Sequence, residues 1–371
     1  MKPFGFLSVF MACLLASACA GPPTPLAELP PPAVETGSPP TTTPLPPTAA
    51  PIPSATLTPT LDPTPTITPT PDPYAGLTVA DLAGRAYGGG ELQIVETLAE
   101  AGAFTRHLVA YPSDGLTVYG FMNAPSGDGP FPVVIAVHGY INPAAYNTLD
   151  YTTRYADALA RAGYLVLHPN LRGYAPSDRG PNPFRVGFAV DVLNLIALVR
   201  EGGGRPGPLA SADPEAIGLW GHSMGGGISI RAMTASPDVR AVVLYGSMSG
   251  DEQANFERIL VWSGRADGAE ELATPPEALE RISPIYHLER VQAAVSIHHG
   301  DQDGTVPLAW SLDLCERLRA LNKPVECYTY AGQPHTFLGD GDQLFMARVE
   351  EFFGVWLKGA GSGLSERLSR R

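Results

Sequence analysis

Gly221-His222-Ser223-Met224-Gly225-Gly226 is a Gly-x-Ser-x-Gly motif set between two contrasting segments. The apolar run 216–220 precedes it, and residues 228–235, whose composition favours a helix, follow it. A strand that turns sharply into a helix holds its turn residue in a strained conformation, which small flanking residues make possible. The serine then stands exposed at the positive end of the helix. The motif predicts that Ser223 is a nucleophile, which in turn requires a histidine and a carboxylate downstream.

The first 18 residues have the organisation of a secretory signal peptide. Lys2 precedes an apolar run from Phe4 to Leu15, and Ala16-Ser17-Ala18-Cys19 follows. The apolar run is short for a membrane span. Small residues before a cysteine resemble the lipobox of bacterial lipoproteins, which implies cleavage after residue 18 and lipid attachment to Cys19. An ordinary signal peptide cut nearby is the alternative, and both interpretations predict an extracytoplasmic protein.

Composition divides the rest of the 371-residue chain into three parts. Residues 19–76 are rich in Pro and Thr, which favours an extended, disordered linker with little to bury. Residues 77–358 have the size and apolar content of one α/β domain. Residues 359–371 are predicted to be a flexible tail.

The formal net charge of −13 restricts the class of partner. Nucleic acid calls for a basic surface, so we exclude nucleic-acid binding as a function. A small-molecule ester or a short peptide remains as the substrate, with the membrane reached through the lipid anchor. No Cys, His and carboxylate cluster has the spacing of metal ligands, and the sequence implies neither a metal nor an organic cofactor.

Strand-like and helix-like segments alternate along the domain. Several strands are uninterrupted apolar runs, such as 133–137, which is typical of parallel strands covered on both faces. The pattern predicts a mostly parallel, doubly wound sheet of eight strands. The predicted strands are 105–111, 116–123, 133–137, 164–168, 217–220, 241–245, 294–298 and 325–330, and the predicted helices are 152–162, 186–200, 228–235, 308–321 and 343–357.

Polar residues follow the carboxyl ends of these strands, where such sheets place their chemistry. Asp303 lies in the loop after 294–298, in a Gly-x-x-Asp-x-x-Val-Pro pattern. We prefer it to Asp301, which we interpret as a turn residue that bonds its own backbone. His335 lies in a Gly- and Pro-rich loop after the last strand. The order Ser223, Asp303, His335 is that of a nucleophile, an orienting acid and a general base.

The other histidines fit this role less well. His222 adjoins the serine but points elsewhere in such a turn, so we expect a supporting role. His298 and His299 end a strand, which favours packing or turn-capping. The backbone amides of Met224 and Tyr140 are the expected donors to the oxyanion of a tetrahedral intermediate.

Together these motifs resemble the α/β-hydrolase superfamily, in the branch that holds prolyl oligopeptidase-type catalytic domains and related bacterial esterases. The matching features span about residues 105 to 357: Asp114-Gly115-Leu116, His138-Gly139-Tyr140, Asn170-Leu171-Arg172-Gly173, the serine turn, Ser283-Pro284-Ile285, the Asp303 loop and His335. The resemblance implies the fold, the Ser-Asp-His triad and the oxyanion donors.

The substrate remains open between an ester and a peptide. Met224 after the serine resembles esterases, since an aromatic residue usually stands there in the peptidases, and we prefer a carboxylesterase to an exopeptidase. Glu270-Glu271 could grip a peptide's amino terminus, although a solvated helix face is the simpler interpretation. We expect residues 247–288 to form a cap insertion over the site. Cys315 and Cys327 are either a disulfide or two free thiols.

Overall fold

The computed structural model describes residues 72–359. The predicted signal peptide, Cys19, most of the predicted linker and nearly all of the predicted tail lie outside this range. Within it, the first residues already contact the domain: Asp72 pairs with Arg281 at 2.9 Å, and the ring of Tyr74 packs edge-on against Phe184. No helix between residues 72 and 359 is long and apolar enough to cross a membrane.

One sheet runs through the domain, and it has nine strands rather than the predicted eight. The strands are β1 (Gln93–Glu100), β2 (Phe104–Ser113), β3 (Leu116–Pro125), β4 (Phe131–Val137), β5 (Leu165–Pro169), β6 (Ala212–His222), β7 (Val239–Tyr245), β8 (Ala294–Gly300) and β9 (Val325–Tyr330). Their order is β1-β2-β3-β5-β4-β6-β7-β8-β9. The strands from β5 to β9 along this order are parallel, and β1, β2 and β3 form an antiparallel edge.

The strand that sequence reasoning missed is β1, at the sheet edge. All of its residues are exposed, so no buried face imposes an alternation of apolar and polar residues on its sequence. Two register irregularities interrupt its pairing with β2. The strand is held by backbone pairing, which leaves little trace in the sequence.

Helices cover both faces of the sheet. They are α1 (Val79–Gly84), α2 (Thr153–Arg161), α3 (Val186–Gly202), α4 (Met224–Ala235), α5 (Glu252–Trp262), α6 (Ala269–Leu272), α7 (Pro276–Ile282), α8 (Leu308–Ala320) and α9 (Gly339–Leu357), with 3₁₀ segments at Pro183–Arg185 and Pro284–Arg290. All five predicted helices are confirmed, with small shifts at their ends. Helices α3, α4 and α8 pack on one face, and α2 and α9 on the other.

The core explains why the central strands read as continuous apolar runs. Residues 133–137 of β4 are all fully buried, because each successive side chain enters the core on one face or the other. Arg172 anchors the loop after β5 to α3, because its guanidinium pairs with the buried carboxylate of Asp191 at 2.8 Å. The parallel strands therefore deliver their carboxyl ends, and the loops that follow them, to one well-supported edge.

Two features of the second half of the domain bear on the site. Cys315 of α8 and Cys327 of β9 form a disulfide, with their Cα atoms 6.4 Å apart, which answers the question that the sequence left open. The insertion 247–288 contains α5, α6, α7 and most of the second 3₁₀ segment.

Candidate active site

Ser223 is the turn residue between β6 and α4. Its backbone has φ 55° and ψ −118°, a positive φ that non-glycine residues seldom adopt. A Cβ at Gly225 would lie 2.1 Å from the carbonyl oxygen of Val137, and one at Gly221 would lie 2.4 Å from the carbonyl oxygen of Gly225. Only glycine fits at these two positions, so the motif is required by packing. The strained serine is the feature that such a turn predicts.

Two neighbouring segments hold the Ser223 backbone. Its N–H donates to the carbonyl of Tyr245 at the end of β7, and its own carbonyl accepts from the N–H of Met248, both at 3.0 Å. The amide of Met224 begins α4, where free N–H groups and the helix dipole favour negative charge. The turn 138–140 also passes close by, since a Cβ at Gly139 would be 3.2 Å from the Cβ of Ser223. Both predicted oxyanion donors therefore belong to segments that adjoin the serine.

Asp303 accepts four hydrogen bonds and its side chain is fully buried. Its Oδ1 accepts from the N–H groups of Thr305 and Val306, each at 2.8 Å. Its Oδ2 accepts from His335 Nδ1 at 2.7 Å and shares the N–H of His299 Nε2, 3.1 Å away, with the carbonyl oxygen of Val306. Burial alone would raise the pKa of this carboxyl, but the hydrogen bonds from His299 and His335 outweigh it and hold the pKa well below its usual range. Asp303 is therefore a carboxylate at any ordinary pH.

The rival carboxylate, Asp301, has a different environment. It is exposed, and its Oδ1 accepts from the N–H of Gly332 at 2.7 Å, which ties the two neighbouring loops together. It makes no contact with His335 in the described structure. Asp301 thus bonds the neighbouring loop, whereas the sequence suggested a bond to its own backbone, and the structure brings Asp303, rather than Asp301, to His335.

His335 lies on the loop after β9, next to the serine turn. Because the carboxylate can only accept, Nδ1 of His335 carries the proton and Nε2 is left as the acceptor. Gly246 adjoins this ring, since a Cβ there would be 3.2 Å from Nδ1. Among the described residues, Ser223 and His335 make no direct hydrogen bond. Both contact the segment 245–248, which lies between them.

Three residues near the site make contacts that the sequence did not predict. His299 is buried and caps a turn as expected, since its Nε2 donates to the carbonyl of Val306 at 3.1 Å, and the same nitrogen also lies 3.1 Å from the Asp303 carboxylate. His222 donates through Nε2 to the backbone carbonyl of His335 at 3.1 Å. Tyr151, which carries no motif, donates its hydroxyl to His222 Nδ1 at 2.6 Å. By contrast, His298 bonds Ser296 and Tyr330 in the core, as packing predicted.

The insertion 247–288 is joined to the domain on two sides of the site. Glu252 begins α5, and its carboxylate accepts from Arg185 at 2.6 Å and from Arg231 of α4 at 2.7 Å. At the other side, Arg258 of α5 donates to the backbone carbonyls of residues 304 and 305 in the Asp303 loop, at 2.9 to 3.0 Å. The first helix of the insertion thus contacts both the helix that follows Ser223 and the loop that carries Asp303.

Known proteins resemble this chain in sequence. A model of the "Prolyl oligopeptidase family" matches residues 209–360, and a model of the "alpha/beta hydrolase fold" matches residues 132–267. The "Uncharacterized peptidase YtmA" of Bacillus subtilis (strain 168) is 24% identical over 240 residues, which are 62% of this chain and 86% of that protein.

Two solved structures show the same fold. Acetyl xylan esterase 1 from Thermoanaerobacterium sp. JW/SL YS485 aligns with a TM-score of 0.55 and 17% identity, over 71% of this chain and 88% of the esterase. The acylaminoacyl peptidase of Pyrococcus horikoshii aligns with a TM-score of 0.56 and 23% identity, over 71% of this chain and 44% of the peptidase.

The fold and the family matches define an α/β-hydrolase domain of the prolyl oligopeptidase-like type that peptidases and esterases share. The domain is therefore of the hydrolase type within the α/β-hydrolase fold.

Buried histidines predict how the domain responds to acid. Burial lowers the pKa of His138 and of His168. Burial lowers the pKa of His222 to about 3, and the nearby His335 adds to this effect. Burial likewise lowers the pKa of His298 to about 3, and Arg348 adds to it. Since the pKa of an unfolded imidazole is about 6.5, the unfolded chain binds these protons first. The stability that the neutral rings contribute is complete above that pH and is lost as the pH falls toward 3.

We therefore expect the free energy of unfolding, measured with urea, to decrease steadily from pH 7 to pH 4. Each such histidine contributes a slope of about 1.4 kcal/mol per pH unit over its window. His298→Gln removes one of these histidines. We expect its free energy of unfolding to fall less steeply with decreasing pH, by about the slope that one histidine contributes. Equal slopes for the two proteins between pH 6 and pH 4 would contradict the buried neutral state of His298.

Proposed function

We propose that the protein hydrolyses carboxylic esters through an acyl-enzyme, with Ser223 as nucleophile, His335 as general base and Asp303 as its orienting acid. The observation that carries the proposal is the buried Asp303–His335 pair, 2.7 Å between Oδ2 and Nδ1, beside a serine strained to a positive φ. A serine hydroxyl is a weak nucleophile at neutral pH unless a positioned base takes its proton. The proposal gives all three residues a role that their geometry can support.

The reaction proceeds in two halves. Ser223 Oγ attacks the ester carbonyl while His335 Nε2 accepts its proton, and the imidazolium then donates that proton to the leaving alcohol. Water repeats the sequence on the acyl-enzyme, and His335 returns the proton to Ser223 Oγ as the acid departs. Asp303 stabilises the imidazolium, and the amides of Met224 and Tyr140 hold the oxyanion. The Ser223–His335 hydrogen bond is expected to tighten when substrate binds.

The charges near the site favour an ester over a peptide with a free amino terminus. A peptide's ammonium group needs an uncommitted carboxylate, and Glu252 is already bound by two arginines. On the four-residue helix α6, Glu270 is exposed, as the solvated interpretation predicted, and Glu271 is half-buried.

We further propose that residues 247–288 cap the site and shape its specificity. The contacts of α5 with both α4 and the Asp303 loop support this, since they fix one wall of the insertion close to the proposed chemistry. The exposed rings of Tyr140 and Trp262, the latter stacked on Arg258, offer apolar surface for an acyl or alcohol group.

For location, we propose an extracytoplasmic protein held at the membrane by a lipid on Cys19. The signal-like segment 1–18 and the small residues before Cys19 support the anchor. The Cys315–Cys327 disulfide supports an oxidising compartment, because disulfides persist there and are rare in the cytosol.

The nucleophile is tested with a fluorophosphonate probe, which labels activated serines covalently. We expect the wild-type chain to be labelled and Ser223→Ala to be unlabelled, with ester hydrolysis reduced by at least about 1,000-fold. Ser229→Ala is the matched control, since Ser229 lies on the same helix but bonds only the carbonyl of Gly225. A folded wild-type protein that resists the probe would overturn the assignment of Ser223 as the nucleophile.

Substrate class is tested with pairs that share one acyl group and one aryl leaving group, as a nitrophenyl ester and a nitroanilide. We expect the ester to have the larger kcat/KM, with no gain from a free α-amine on the acyl group, because the Glu252 carboxylate is already bound by two arginines. Faster anilide cleavage, or a clear preference for the free amine, would support the exopeptidase alternative that the prolyl oligopeptidase match suggests.

The lipid anchor is tested by expressing the full chain in a bacterium supplied with a clickable palmitate analogue. We expect the wild type to incorporate the lipid and to fractionate with membranes, and Cys19→Ser to do neither. Cys13→Ser, within the apolar run of the same segment, should behave as wild type. Release of the wild type without lipid would favour the ordinary signal peptide instead.

A further inference from the structure

His222 stands between the two residues that must meet for the proposed reaction. It ends β6 and immediately precedes Ser223, and its Nε2 lies 3.1 Å from the backbone carbonyl oxygen of His335. A carbonyl can only accept, so Nε2 of His222 carries the proton. Its Nδ1 is then the acceptor for the hydroxyl of Tyr151, 2.6 Å away. The two partners fix a single neutral tautomer.

The ring of His222 also packs directly against the ring of His335. Their centroids are 4.7 Å apart, and Tyr245 packs against His222 at 4.3 Å. His222 is 2% exposed, and burial lowers its pKa to about 3. A neutral ring in this position supports His335 without opposing the positive charge that His335 acquires when it takes the serine proton.

Tyr151 extends the contact to a third segment of the site. A Cβ at Gly139 would lie 2.3 Å from the Tyr151 hydroxyl, so this hydroxyl rests against the turn that carries the Tyr140 amide. The same imidazole is thus connected to the nucleophile through the chain, to the base through Nε2 and to the oxyanion turn through Tyr151. These three segments follow β6, β9 and β4, and they are otherwise far apart in sequence.

We propose that His222 is a positioning residue, which fixes the His335 loop relative to Ser223, and that Tyr151 fixes the tautomer that makes this possible. The inference rests on the proposed triad. Asp303 holds His335 only through Nδ1. The hydrogen bond from His222 fixes the backbone from which that ring projects. Because misplacement of a reacting group by about 1 Å can lower a rate by about 100-fold, such a contact bears on kcat rather than on substrate affinity.

The test measures ester hydrolysis and the rate of fluorophosphonate labelling in the full chain and in four variants. His222→Phe keeps a buried ring but removes both hydrogen bonds. His222→Gln keeps an amide donor near the position of Nε2. Tyr151→Phe removes only the hydroxyl. Tyr87→Phe is the matched control, because the Tyr87 hydroxyl likewise makes a single hydrogen bond, at 2.7 Å to the carbonyl of Leu82 in α1.

For His222→Phe we expect kcat and the labelling rate to fall by about 10- to 100-fold with KM changed by less than about twofold. His222→Gln should recover most of the loss, Tyr151→Phe should lose several-fold, and Tyr87→Phe should match wild type. A purely structural histidine would instead lower the unfolding midpoint and leave kcat of the folded fraction unchanged. That result, or a His222→Gln variant as slow as His222→Phe, overturns the inference.

The design separates this inference from the proposed function. If the wild type is labelled and all folded variants are labelled at the same rate, the triad stands and the positioning role fails. If the folded wild type is not labelled, both proposals fail. Should His222→Phe not fold, the comparison of Tyr151→Phe with Tyr87→Phe decides, and equal kcat values for these two overturn the inference.

Discussion

The backbone of Ser223 is the constraint on which the site depends. A positive φ at a serine is unfavourable, and it persists here because β6 and α4 are both held in place by the core. The glycines on either side let α4 approach the end of β4 so closely that no Cβ could be accommodated. The same close approach brings the turn 138–140 against the serine. The strain and the meeting of these segments therefore have one structural cause.

The parallel sheet converts this local constraint into a complete site. Strands β4, β6, β8 and β9 end at one edge, so the turn 138–140, Ser223, Asp303 and His335 emerge near one another although they span almost 200 residues. Histidines then connect the loops. His299 links the Asp303 carboxylate to the end of β8, and His222 links the serine turn to the His335 loop. Both rings satisfy buried polar groups, and His222, whose pKa is lowered by burial, does so at the expense of stability in acid.

The sequence was sufficient to predict the parts of this arrangement that leave a pattern. Continuous apolar runs indicated the buried parallel strands, and the glycines around Ser223 indicated the turn. Asp303 could be separated from Asp301 by its spacing to Val306 and Pro307. Strand β1 could not be found, because backbone pairing at an exposed edge does not require particular side chains. Tyr151 and the contact of His299 with Asp303 were missed for a related reason, since each depends on a contact made in three dimensions.

The contacts of α5 constrain how substrate can reach the site. Glu252 and Arg231 are almost fully buried and paired at 2.7 Å, and breaking such a pair costs about 3 to 5 kcal/mol. Arg258 binds the Asp303 loop through backbone carbonyls, so moving α5 would also disturb the carboxylate that orients His335. An opening that displaced α5 would therefore dismantle the proposed triad. The segment 263–273, between α5 and α7, makes no side-chain hydrogen bond to α4 or to the Asp303 loop among the described residues, so α5 alone among these two parts of the insertion is tied to the carboxylate that orients His335.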